Sequence, residues 1–343
     1  MTNPNPASGA FQIREFSIVQ RNAAGAVTGV LNPWAEIDYK TSGGHDQYNA
    51  LQLALSKRSR AGVTANVQYT LGKSTGNTGG SNEADTAANN ARSLDDFEYD
   101  NGYNKFDVRH TFNASLLFLI PYGKGRRYGS GASGAAQALL GGWEIGGIVN
   151  ARSGVPVNVL ITRPDILYFD GAAGNYFANP AAGRVAVINT PGGGNSRNVR
   201  RPDLVPGVDP FITDGGTTFL NPAAFAIPMP GTFGNLERNS LHGPNFKQAD
   251  MIIDKKFNSG GSSNVEFRVE IFNLFNTVNF SNPAGGLPSV IPGDSVTQAN
   301  TLQPGSAYTA AAAGAFGKIT STVGRTVGLG TSRQVQFALR INF

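Results

Sequence analysis

The sequence contains no cysteine. That excludes disulfide frameworks, thiolate zinc sites and cysteine nucleophiles together, and it suits an oxidising envelope compartment. No run of 18 apolar residues occurs, which excludes transmembrane helices. A transmembrane barrel stays open, because its strands are half polar. Charged residues make up only 15 % of the chain, against about 25 % in an ordinary soluble domain. Histidine is scarce, and His45, His110 and His242 lie in separate segments, which argues against a metal site or a catalytic triad. The opening MTNPNPASGAFQ has neither the charged n-region nor the apolar h-region of a signal peptide.

What is present points to β structure. The 343 residues suffice for one large β domain or two ordinary ones. Hydrophobic residues reach 40 % at a mean hydropathy of −0.20. The 44 glycines favour turns and loops over helices. The net charge of +5 raises an anionic partner such as nucleic acid or lipopolysaccharide. A scattered excess of arginine accounts for it better. The densest basic cluster, Lys124, Arg126 and Arg127, is too short for a nucleic-acid stripe, so no nucleic-acid partner is expected.

The last eleven residues, RQVQFALRINF, alternate without interruption. Val335, Phe337, Leu339, Ile341 and Phe343 share one face, opposite Gln334, Gln336, Ala338, Arg340 and Asn342. A period of two means a strand, and eleven residues can cross a bilayer when tilted. A terminal apolar strand ending in Phe suits the signal that outer-membrane assembly machinery reads. The same alternation runs through 62–73 and 263–275. In 263–275, Val265, Phe267, Val269 and Ile271 oppose Glu266, Arg268 and Glu270. In 107–119, Val108, Phe112, Leu116 and Phe118 share a face. In 46–57, Tyr48 opens a face that Leu51, Leu53 and Leu55 continue after a phase slip. Weaker strands are expected at 11–20, 27–40, 142–161 and 247–257, about nine in all.

Alternation alone fits a soluble sandwich as well as a barrel. Connection lengths separate them. Short turns at 58–61 and 258–262 alternate with long segments at 74–104, 162–246 and 276–332. Structureless loops of that length are uncommon in compact soluble domains, whereas short periplasmic turns and long outer loops mark outer-membrane barrels. With Phe343 at the periplasm, every long loop falls outside, and 120–141 becomes a longish inner turn. Glu266, Arg268 and Glu270 then face the lumen, and Phe267 and Val269 face lipid. The fold class expected is all-β, an antiparallel transmembrane β-barrel segment of about nine or ten strands with long extracellular loops.

Chemical motifs are weak. Gly72-Lys73-Ser74 lacks the upstream glycine of a P-loop, since Val67 occupies that position. Gly129, Gly131 and Gly134 give G-x-G-x-x-G without a βαβ unit, so a flexible inner turn is expected. Asp95, Asp96, Glu98 and Asp100 lack the spacing of a calcium loop and read as a solvated loop. Asp107-Val108-Arg109-His110 reads as an inward-facing polar network. Trp34, Tyr69, Tyr122 and Trp143 suit interfacial belts or lipid-facing packing. No catalysis, cofactor or metal is expected.

These segments match a family in order. YNALQLALSKR (48–58), GVTANVQYTLGKS (62–74) and FDVRHTFNASLLFLIPYGKGRR (106–127) resemble the C-terminal barrel portion of Oar-like TonB-dependent receptors. The resemblance continues through LLGGWEIGGIVNARSGVP (139–156), NSLHGPNFKQADMIIDKKF (239–257), VEFRVEIFNLFNTVNF (265–280), FGKITSTVGRTVG (316–328) and SRQVQFALRINF (332–343). It implies residence in the cell outer membrane and energised uptake or surface export of a substrate. It also implies partners: outer-membrane lipid and lipopolysaccharide, the barrel assembly machinery, and TonB acting through an N-terminal part not in this sequence. Family barrels have about 22 strands and a plug domain. Residues 1–343 are therefore expected to be a single C-terminal half-barrel whose first and last strands do not pair. The alternatives are a soluble or surface-attached β-rich carbohydrate-binding or adhesin module, and a small closed pore.

Overall fold

A computed structural model describes residues 17–31, 33, 42–59, 62–78, 96–190, 200–214, 216–260, 263–293, 300–324, 330 and 332–342. Seven long antiparallel strands form its main sheet. They are β1 (Asp46–Arg58), β2 (Val63–Gly76), β3 (His110–Leu119), β4 (Trp143–Arg152), β5 (Phe246–Gly260), β6 (Ser263–Phe272) and β7 (Gln334–Asn342). Spatial order equals sequence order, so the sheet is a pure up-and-down meander. The strands run from 9 to 15 residues, enough for a tilted strand to cross a bilayer. The short pair Gly102–Tyr103 extends β2 at one end.

The register is continuous across the wall. Leu55 faces Val67, Val67 faces Ala114, Ala114 faces Val149 and Val149 faces Ala249. Ile253 faces Val269, and Val269 faces Phe337. Because side chains alternate along each strand, this register places Leu55, Val67, Ala114, Val149, Ile253, Val269 and Phe337 on one face, while Leu117, Ile148 and Ile252 fall on the other. The β1–β2 ladder carries no bulge. Tyr48 therefore falls on the face opposite Leu51, Leu53 and Leu55, and the expected phase slip does not occur.

The wall is open among the described residues: β1 pairs only with β2, and β7 only with β6. No ladder joins β7 to the N-terminal hairpin, as expected for an unclosed sheet. Among the described residues, seven strands are long enough to span, against about nine expected. The expected strands at 11–20 and 27–40 become the small hairpin Ile18–Arg21 and Val27–Leu31 over their described parts. The described parts of its strands cover four and five residues. Residues 11–16 and 34–40, Trp34 among them, lie outside the described residues. Segment 247–257, expected to be weak, belongs to the longest strand, inside the wall between β4 and β6. Segment 142–161 stops being wall at Arg152.

The hydrophobic core lies in the long loops rather than on the sheet. Leu167, Leu220, Ala224 and Phe225 are fully buried there, and Phe225 meets Phe316 edge-on at 5.2 Å. The described parts of segments 153–245 and 273–324 interleave. Leu160–Ile161 pairs in parallel with Gly286–Leu287, and Pro156–Val157 pairs with Leu241–His242. Ile166–Asp170 centres a three-stranded sheet with Asn175–Phe177 and Arg184–Ile188. The long loops are thus a packed body, not structureless connections. At the other end, 120–142 carries α1 (Gly134–Leu140), whose Ser133 hydroxyl accepts from the Ala136 amide at 3.3 Å. Gly142 follows at φ 73°, where a Cβ would meet the Lys256 carbonyl oxygen at 2.3 Å, so glycine alone fits there.

Candidate functional site: the polar face of the wall and its loop body

The even positions of β5 and β6 gather the charges of the wall. By register, Asp254 faces Arg268, Lys256 faces Glu266, and Ile252 faces Glu270. Arg268 is the hub. Its guanidinium lies 2.5 Å from Glu266, 3.2 Å from Asp254 and 3.7 Å from Glu270. Asp254 and Glu266 are buried. Three carboxylates around one guanidinium would repel each other without it, so Arg268 sets the local geometry. The structure thus brings together the three residues expected on one face, and it adds Asp254, whose place only the pairing register reveals.

The polar strip climbs to the loop body. Gln248 is buried on the same face and donates to Asp250 at 2.8 Å. The Gly330 amide donates to Gln248 Oε1 at 2.7 Å, and the Asn273 amide donates to Asp250 at 2.8 Å. Neighbouring strands continue the face with Asn150 on β4, Asn113 on β3 and Gln68 on β2. The opposite face stays apolar and uncovered. Leu53, Leu116, Phe267, Phe337 and Leu339 are all exposed. Phe267 and Phe337 stack there at 6.3 Å.

Buried cations fasten the loops to each other. Arg201 donates to Asp100 at 2.9 Å and to the Tyr99 carbonyl at 2.7 Å. Arg238 donates to the carbonyls of Gly76 and Asp100, which locks the top of β2 to two loops. Arg163 is held by carbonyls: Asn189 at 2.9 Å, Thr232 at 3.1 Å and Pro228 at 3.2 Å. Burial lowers its pKa to about 10, and burial lowers that of Arg238 as well. Arg200 pairs with Asp165. None of these was expected from the sequence. Their partners are mostly backbone carbonyls, which carry no sequence signal.

Asp100, expected in a solvated loop, is instead buried against Arg201. Asp95 lies outside the described residues. Asp107 anchors a polar knot: it accepts from the Ser74 amide at 2.5 Å and lies 3.7 Å from His242. His110 meets the Tyr69 hydroxyl at 2.8 Å. Among the described residues no cluster of His, Asp or Glu has the arrangement of a metal site. A cleft of about 420 Å³ opens between the top of the wall and the loops, lined by Arg152, Phe246, Phe280 and Asn282 among others.

At the chain end, Val335, Phe337, Leu339 and Ile341 are exposed on one face of β7. Phe343 lies outside the described residues. A family model described as an outer membrane beta barrel domain matches residues 2–336. Neither a curated protein nor a solved structure matches the chain.

Proposed function

The chain belongs to the outer membrane beta barrel domain family and resides in the outer membrane, and on that premise we propose that it forms barrel wall of a TonB-dependent receptor. In this reading the apolar face meets lipid, and the polar face, with Glu266, Arg268 and Glu270, borders the lumen. The loop body stands outside the cell, and a substrate crosses by energised uptake or export. The chain has no enzymatic role. TonB acts through a part outside this sequence, lipid and lipopolysaccharide surround the wall, and the assembly machinery recognises the face of Val335, Phe337, Leu339, Ile341 and Phe343.

The observation that carries this reading is the sorting of side chains. One register across seven strands puts an exposed apolar band on one face and a paired charge cluster on the other. A soluble sandwich would bury the apolar face. An outer-membrane barrel reverses that, with apolar residues out and polar residues within. The test is crosslinking to TonB in cells that carry the complete receptor. A crosslink that depends on the proton-motive force supports energised transport. A surface-exposed, folded receptor that never crosslinks removes it.

A second reading, a surface-attached carbohydrate-binding or adhesin module, draws on the loop body having a core of its own. Retention after carbonate and high-salt washing separates the two, because an attached module is released and a wall is not.

A further inference from the structure

We propose, on the reading that the apolar face meets lipid, that the 120–142 turn binds anionic glycerophospholipid headgroups at the turn end of the wall. From Arg109 to Trp143 the sequence has no Asp or Glu. Lys124, Arg126 and Arg127 are exposed there. None of the three makes an ion pair among the described residues. A basic turn with no acidic residue to compensate it holds a standing positive potential.

Apolar groups lie on the same turn. Leu139 is 71 % and Leu140 53 % exposed at the end of α1. Trp143 and Lys255 both belong to the apolar side of the wall by register, and both bind the end of this helix. Trp143 Nε1 donates to the Leu139 carbonyl at 2.8 Å. The Lys255 ammonium donates to the same carbonyl at 3.3 Å and to that of Gly141. It also lies 5.1 Å from the Trp143 ring. These bonds fasten the helix end to the apolar side, so its leucines extend the exposed band. The Lys255 ammonium is engaged by carbonyls, which leaves Lys124, Arg126 and Arg127 to meet a ligand.

Cations alone would accept any anion. Cations beside exposed leucines, at the border of an apolar band, match a molecule with a phosphate head and acyl tails. Basic residues beside a membrane surface attract anionic lipid within a Debye length.

The experiment uses the 343-residue chain carrying Trp34→Phe, which leaves Trp143 as the single tryptophan of these residues. The folded protein in zwitterionic micelles is mixed with brominated phosphatidylglycerol or brominated phosphatidylcholine at equal mole fraction. Bromine quenches a tryptophan it touches. Phosphatidylglycerol should quench Trp143 at least about threefold more than phosphatidylcholine. The excess should vanish in salt of about 0.5 M and in the triple variant K124Q/R126Q/R127Q. Equal quenching by the two lipids overturns the headgroup site and leaves lipid contact standing. An excess untouched by salt also overturns it, and that arm does not need the variant to fold. Quenching by neither lipid overturns the lipid-facing reading, and the headgroup site with it.

Discussion

Asp100 and Arg201 lie 101 positions apart and form an ion pair at 2.9 Å with both side chains almost fully buried. The Arg201 guanidinium also lies 4.0 Å from the Tyr99 ring. The pair clamps the segment around Asp100 to the segment around Arg201 above the wall. Replacing one partner leaves an uncompensated buried charge, at a cost of roughly 3–5 kcal/mol. Arg201→Ala should therefore open the loop body to protease while the wall strands stay protected. Limited proteolysis with mass mapping reads this directly. Simultaneous loss of wall protection would show that loops and wall unfold as one unit.

The wall was legible in the sequence and the loop body was not. Alternation at 263–275 and 333–343 identifies strands because a half-exposed strand must sort its side chains by face. The sorting of Glu266, Arg268 and Glu270 onto one face follows from the same period. Arg163, Arg201 and Arg238 could not be assigned that way. Their ligands come from distant loops and are mainly main-chain oxygens. In the N-terminal segment, 18–21 and 27–31 form strands as their alternation indicates, but local pattern does not reveal which neighbour a strand pairs with, and these two pair with each other.

Charge changes on the polar face should differ in cost. Glu266→Gln leaves Arg268 with Asp254 and Glu270, so the loss should be about 1 kcal/mol. Arg268→Gln leaves three carboxylates facing one another and should cost more. Urea titration of the detergent-folded protein ranks the two. Equal losses would mean that Arg268 is not the hub.

The loop body should respond to alkali through two buried groups of opposite sign. Tyr308 donates to the Pro288 carbonyl at 2.7 Å, and burial raises its pKa above 10. The unfolded chain releases that proton first. Stability from Tyr308 is therefore complete below pH 10 and is lost as pH rises through the higher folded value. Arg163, lowered to about 10 from 12.5, pushes the other way, adding stability between those two values. Tyr308→Phe should leave only the rising component. Loop-body stability that still falls above pH 10 in that variant would contradict the assignment.

Assembly offers a separate test of the last strand. If the terminal apolar face is read during insertion, Phe343→Asp in the complete receptor should lower its outer-membrane level several-fold, with the protein accumulating unfolded. Leu339→Asp should act in the same direction, because Leu339 shares that face. Unchanged levels for both variants would remove the assembly role.

The most direct test of the lipid-facing and lumen-facing assignment uses the absence of cysteine. Single cysteines at Glu266, Phe267, Arg268, Val269 and Glu270 in the complete receptor report both faces of β6, read against the receptor without them. Intact outer membranes are treated with a water-soluble maleimide. Positions 266, 268 and 270 should label and positions 267 and 269 should stay protected, a strict period of two in this phase. Labelling in the opposite phase, or equal labelling at all five positions, would contradict a wall with its apolar face in lipid.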